Sequence, residues 1–156
     1  LKDFKHYKTL LVYQHGDEIV QAIHKKYGGD YILAGTGYST ASVLTYYSGE
    51  AFIVFSSGSK YGRHYDKLTD FRALDGKNIL VFSSTGDDFH DYFDKVVHDT
   101  LKVRHHTFDI ALGKGFRYDG YRNRFLNWAR EKWYDFPDFL PVTECFFYDR
   151  YFPEQE

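Results

Sequence analysis

The stretch from Tyr31 to Phe82 constrains the fold more than any other part of this chain. YILA, AFIVF and NILVF are three short apolar runs, separated first by a helix-patterned segment and then by a polar loop. None of the runs alternates with polar residues as a strand with one wet face would. Each is expected to be covered on both sides, which favours parallel pairing with helices on the two faces. The spacing predicts strands over 31–34, 51–55 and 78–82. It also predicts a helix from Ser39 or Thr40 to Tyr47, burying Ala41, Leu44 and Tyr47 and stopped by Gly49. The expected fold class is therefore α/β: a Rossmann-like layered domain with a mostly parallel central sheet.

Flanking segments extend this pattern. Ile19, Val20, Ile23 and Tyr27 recur at helical spacing after Asp17, a residue suited to an N-cap, and Gly28-Gly29 ends that helix. Leu68 to Leu74 reads as a short helix. Phe89, Phe93, Val96 and Val97 fall on one helical stripe and predict a helix over 89–101, with Asp87 or Asp88 near its start. Val103 to Leu112 alternates loosely, as an edge or antiparallel strand does. A helix near 121–134 and an extended tail punctuated by Pro137, Pro141 and Pro153 complete the reading. At 156 residues the chain suits a single domain. Residues 1–115 are expected to form the core, and 116–156 an aromatic, basic extension.

Aromatic residues make up 21% of the sequence, with fifteen Tyr and fifteen Phe. Each buries roughly 150–250 Å², so rings must dominate the core and the surplus must meet something at the surface. The formal charge of −2 excludes a strong global binder of polyanions, and no nucleic-acid partner is expected. One cysteine, Cys145, forms no intrachain disulfide, and burial is its expected fate. The chain contains no Met and opens on LKDFKHYKTLL, which reads as a piece excised from a longer protein. No apolar run reaches the roughly 18 residues that span a bilayer.

Several catalytic and cofactor patterns fail on inspection. Gly35-Thr36-Gly37 lies between a strand and a helix as a dinucleotide fingerprint does, but position 40 holds Thr and the acid after the second strand is missing. A tight turn explains those glycines. His105 and His106 would face opposite sides of a strand, and His24, His90 and His98 are expected on solvated helix faces, so no metal site is expected. No nucleophile elbow surrounds any serine. No catalytic residue and no cofactor is assigned.

Two segments remain as candidates. The loop Lys60-Tyr61-Gly62-Arg63-His64-Tyr65-Asp66 follows the second strand, where open α/β sheets bind ligands. There Lys60 and Arg63 suit a phosphate, Tyr61 and Tyr65 a sugar ring, and Asp66 a hydroxyl. His64 accompanies them, and Tyr38 and Ser39 at the first strand-to-helix turn complete the set. The competing reading is an ordered loop with its tyrosines packed inward. The second segment, 114–132, carries six cations against two acids, interleaved with aromatic residues. Arg117, Arg122, Arg124, Trp128, Arg130 and Trp133 read as a membrane-interface patch, since Trp and Tyr favour headgroup depth and basic residues are drawn to an anionic leaflet. Stacking on RNA, or a helix packed on its own sheet with arginines outward, fits the same composition.

From Tyr31 to about Gly115 the order of these motifs resembles the C-terminal extracytoplasmic domain of certain bacterial membrane glycosyltransferases. These are the relatives of protein mannosyltransferases and of the lipid A aminoarabinose transferase. The likeness rests on YILA, YSTASVLTYYSG, AFIVF, GSKYGRHYDKL, LDGKNILVF and GKGF. It implies a parent with many membrane helices and a polyprenyl-phosphate-linked sugar donor, acting at the periplasmic face of the inner membrane. The family's catalytic acids lie in loops of the membrane part, and nothing in this chain corresponds to them. The expected partners are that membrane domain and a lipid-linked sugar or acceptor glycan. A stand-alone enzyme binding a nucleotide or nucleotide-sugar at 35–39, and a protein–protein interaction module, are the alternatives.

Overall fold

A computed structural model describes residues 7–83, 88–141 and 144–153. Helix α1 (Tyr7–Tyr27) opens the chain and begins ten residues before the expected Asp17. A kink at His15 explains the difference, because Asp17 stands near the start of the second of two merged helical segments. Strand β1 (Ile32–Gly35), helix α2 (Tyr38–Ser48) and the two-residue strand β2 (Ile53–Val54) follow as the spacing predicts. Gly49, at φ 68, ends α2 by returning its amide to the Thr45 carbonyl at 2.9 Å. Ala41 and Leu44 are fully buried, but Tyr47 is exposed and lies across Gly16 of α1, where any Cβ would strike its ring.

Helix α3 (His64–Leu68) takes up the end of the expected loop, a 3₁₀ turn covers Phe71–Leu74, and β3 (Ile79–Ser83) enters the sheet. The next segment departs from expectation. The helix predicted over 89–101 is instead a 3₁₀ turn (His90–Tyr92) leading into strand β4 (Phe93–Val103). Asp88 caps that turn by accepting the His90 amide at 3.0 Å, while Asp87 lies outside the described residues. Phe89, Phe93 and Val96 are buried as the helical stripe required, but Val97 is exposed. Phe93 and Val96 fit the helical period and not strict alternation. They reach one face of a strand because the alternation slips opposite Gly115, and pairing with β5 (His106–Phe116) along its whole length overrides the helical pattern. A two-residue turn with Arg104 at φ 53 closes the hairpin.

The sheet order is β2-β1-β3-β5-β4. β1 pairs parallel with β2 and β3, whereas β5 pairs antiparallel with β3 and β4. The architecture is thus α/β around a mixed sheet whose longest pairings are antiparallel. This corrects the expectation of a mostly parallel one. The three apolar runs do form the parallel part. β5 is antiparallel as anticipated, but interior, with β4 taking the edge.

Each face of the sheet carries its own core. Leu33, Val54, Leu80, Phe82 and Ile110 pack against α1 and α2. Ala34, Ile79, Val81 and Ala111 point the opposite way, into a cluster of Phe55, Phe71, Phe89, Phe93, Phe116 and Tyr121. The alternation slips by one at Gly115 (φ 63), so Phe116 joins Ala111's face. The second cluster is closed by helix α4 (Tyr118–Tyr121), a π-helical turn (Arg122–Leu126), α5 (Asn127–Trp133) and α6 (Phe146–Tyr151). Phe116, Tyr121, Phe125, Leu126, Ala129, Tyr134, Phe147, Tyr151 and Phe152 are thus half of the buried residues of this second cluster, so the C-terminal segment packs into the core. Fully burying each large apolar side chain contributes about 1.5–3 kcal/mol.

Candidate functional site

The carboxyl ends of β1 and β2 are drawn together when the Phe55 amide donates to the Gly35 carbonyl at 2.9 Å. Beyond that point the chain turns sharply. Ser56 adopts φ 55, its amide bonded to the Tyr121 hydroxyl at 3.0 Å. Gly58 lies so close to the Thr36 carbonyl that a Cβ there would sit 2.3 Å from its oxygen. Only glycine allows that approach, and it presses 56–63 against the turn that starts α2.

Asp66 organises the loop. Its carboxylate, 5% exposed, accepts the Ser59 hydroxyl at 2.6 Å, the Arg63 amide at 2.9 Å and the Tyr38 hydroxyl. The bond to Arg63 caps the first turn of α3 from within. Arg150 of α6 closes the other end, donating to the carbonyls of Asp66 at 3.1 Å, Lys67 at 2.8 Å and Thr69 at 2.8 Å. Asp66, which the sequence suggested for a ligand hydroxyl, is thus buried and engaged by three donors of its own chain. The cavity beside it, lined by Ser59, Phe71, Tyr134 and Phe147 among others, has a volume of about 10 Å³. That admits a single water at most. Burial, reinforced by the hydrogen bond to Asp66 and its negative charge, holds the Tyr38 hydroxyl far above the usual phenol range. Tyr38 is therefore held as a neutral phenol that donates to Asp66.

What faces solvent is aromatic and cationic. Arg63 stacks on Tyr38 with its guanidinium carbon 4.7 Å from the ring centroid, and lies 5.5 Å from that of Tyr61. The Lys60 ammonium sits 5.1 Å from the ring of Tyr61, 5.6 Å from Trp128 and 5.3 Å from Trp133. Tyr61 and Trp133 meet edge to face at 4.9 Å. Their exposures are 49% and 45%, and that of Trp128 is 38%, which makes a solvent-facing platform and not a core. The Tyr61 amide donates to the Tyr38 hydroxyl at 3.3 Å, tying the platform to the Asp66 network.

Of the loop residues read from sequence, Tyr38, Lys60, Tyr61, Arg63 and Asp66 converge. Tyr65 turns toward the cluster under α1 and α2, His64 is exposed at the start of α3, and Ser39 is exposed on α2. The six residues of the expected membrane patch disperse. Trp128 and Trp133 join Lys60. Arg122 donates to the Tyr151 carbonyl at 2.9 Å, and both it and Arg130 lie 4.7 Å from the Phe152 ring centroid, where they hold down the C-terminal segment. Arg124 pairs with Asp91 at 2.8 Å, and Arg117 reaches Asp94 at 3.9 Å. Sequence reasoning missed Ser59 and Arg150, for which no local signal exists. It also missed the union of the two tryptophans with Lys60.

At the glycine turn, the cleft lined by Thr36, Thr40, Phe82, Phe108 and the start of α1 measures about 20 Å³, too small for a nucleotide. Among the described residues, no helix is long and apolar enough to cross a membrane. No family model, curated protein or solved structure matches this chain.

Proposed function

We propose that this chain is a non-catalytic domain of a polyprenyl-phosphate-dependent membrane glycosyltransferase, standing at the outer face of the bacterial inner membrane. In this reading it docks the sugar-phosphate end of the lipid-linked donor on the platform of Tyr61, Trp128 and Trp133. One observation carries the reading: three exposed rings surround Lys60 beside Arg63, at the carboxyl edge of parallel strands. Ring faces are electron-rich and attract the polarised C–H groups of a pyranose, and the two cations suit a phosphate. Asp66 accepts three hydrogen bonds from its own chain and Tyr38 is held neutral, which fits a docking role for the platform.

A nearby feature supports the membrane setting. Phe136, Phe139 and Leu140 follow α5 directly and are 39%, 82% and 47% exposed, a short apolar loop suited to the headgroup boundary or to the parent's membrane domain. It takes over the interfacial role that composition had assigned to the arginines of 117–130.

Both tryptophans of the chain lie in the platform, so intrinsic fluorescence reports on it directly. Titration with a short-chain isoprenyl phosphate mannose is expected to shift Trp emission saturably. Trp133→Ala should abolish the response, and Lys60→Ala should weaken it more for the phosphorylated ligand than for a free oligosaccharide. No response to millimolar isoprenyl phosphate sugar or free glycan refutes the reading. Micromolar binding of a nucleotide-sugar instead would favour the stand-alone enzyme.

A further inference from the structure

The replacement of the expected helix by a strand has a chemical consequence at the β4 edge of the sheet. In a helix, eight residues would separate His90 from His98 by about 12 Å along the axis. The turn at His90–Tyr92 instead folds back beside β4, with Phe89 buried beneath it and His98 two residues beyond Val96 on the same face. One carboxylate oxygen of Asp88 and one ring nitrogen each of His90 and His98 come within 4.8 Å of one another, all on exposed side chains. The His90 Nε2 to Asp88 Oδ1 distance is 3.7 Å, and the two imidazoles meet edge to face at 6.2 Å.

We propose that Asp88, His90 and His98 form a surface site for a borderline divalent transition ion of the Zn²⁺ class. Tetrahedral zinc with bonds near 2.0–2.1 Å places its donors about 3.3 Å apart. Rotamer adjustments of about 1 Å by exposed side chains bring these three into that range. The backbone beneath them is already held. The His90 amide donates to Asp88 at 3.0 Å, and Arg117 donates to the carbonyls of His90 at 3.3 Å and Asp91 at 3.4 Å. Two imidazoles with one carboxylate select Zn²⁺, Co²⁺ or Ni²⁺ over Ca²⁺ and Mg²⁺, which require mostly oxygen donors. Three protein ligands leave a fourth position open to water or to an external donor. Bound, the ion staples the 88–92 turn to β4.

The test is titration of the whole chain with Zn²⁺ alone by calorimetry, and with Co²⁺ by visible absorption. One equivalent is expected in the micromolar range, with Co²⁺ bands of tetrahedral or five-coordinate intensity. His90→Ala and His98→Ala should each weaken binding tenfold or more, and Asp88→Asn several-fold. His64→Ala and His105→Ala, exposed imidazoles elsewhere, should leave it unchanged. Unfolding midpoints without metal should match across the set, because the altered side chains are exposed. Zn²⁺ should raise the midpoint of the native chain and not that of the His90→Ala/His98→Ala double variant. Binding no tighter than millimolar, or retained by that double variant, overturns the proposal.

Discussion

The two faces of the sheet are held by different chemistry. Under α1 and α2 the core is largely aliphatic: Leu11, Val12, Ile19, Val20, Ile23, Leu33, Leu44 and Leu80, with a few phenylalanines. Under the C-terminal segments it is largely aromatic, centred on Tyr121, whose ring lies 4.7 Å from Phe71, 5.0 Å from Phe125 and 5.1 Å from Phe55. The aliphatic face is covered by the two longer helices, which satisfy their own backbones. The aromatic face is covered by 3₁₀ turns, a π-helical turn and short helices, whose backbone groups need partners from elsewhere. Tyrosine provides them. Tyr121 accepts the Ser56 amide at 3.0 Å, Tyr151 accepts the Phe71 amide at 3.3 Å and donates to the Thr69 carbonyl at 3.2 Å, and Tyr148 donates to the Tyr134 carbonyl at 2.8 Å. Irregular structure is affordable where a large apolar ring carries its own hydroxyl. The candidate site lies on the rim of that irregular face.

The sharpest way to break this comparison is to empty each face in turn. Tyr121→Ala should destabilise by about 3–5 kcal/mol in chemical denaturation, and Ile23→Ala on the aliphatic face by about 2–5 kcal/mol, toward the lower end. A greater loss at Ile23 would show that the aromatic cluster is not the dominant core. Asp66→Ala strands the Ser59 hydroxyl and the Arg63 amide and should cost about 1–3 kcal/mol. It should also shift Trp emission as the platform loosens; unchanged fluorescence would separate the platform from the Asp66 network. Tyr121→Phe keeps the ring and removes only the partner of the Ser56 amide, so a loss of about 1–2 kcal/mol isolates the hydroxyl's contribution. A neutral result would deny tyrosine its bridging role.

The smallest expected effect concerns pH. Asp99 is lowered to about 2 by its hydrogen bond from Lys26, then by the Thr100 amide and the Tyr27 hydroxyl. Its folded pKa lies below the unfolded value near 3.9, so its contribution is complete above about pH 4 and is lost as pH falls toward 2. Asp99→Asn should flatten the dependence of stability on pH in that window. The side chain is 35% exposed, and solvent screening keeps the difference below about 1 kcal/mol. An unchanged acid profile would show that the pair contributes nothing.

Much of the α1/α2 layer was legible in the residues themselves. The apolar runs of β1 and β3 and the glycine stops after α1 and α2 depend on neighbours only a few positions away. The strand β4 was not legible, because Phe93 and Val96, three residues apart, share a face in a helix but not in a regular strand. They do so here only through the slip in alternation opposite Gly115. The Arg104-His105 turn also lacks the Asn-Gly or Asp-Gly signal that would have announced a hairpin. The basic-aromatic segment was legible as a helix but not as a surface. Its cations face Asp91, Tyr151 and Phe152, partners that composition does not reveal. Likewise Asp66 looked available in a polar loop, and only the arrival of Ser59, Tyr38 and Arg150 around it shows that it is engaged.

Sequence alone determined that apolar strands would form an α/β layer, where its helices would stop, and that rings would fill its core. These follow from local sterics and from the need to bury apolar area. Tertiary structure alone decided that the sheet is mixed, that the C-terminal segment supplies half of the aromatic cluster, and that Trp128 and Trp133 stand around Lys60. Those outcomes depend on pairings between segments tens of residues apart. Their energies are comparable with local propensities, and no short-range pattern encodes them.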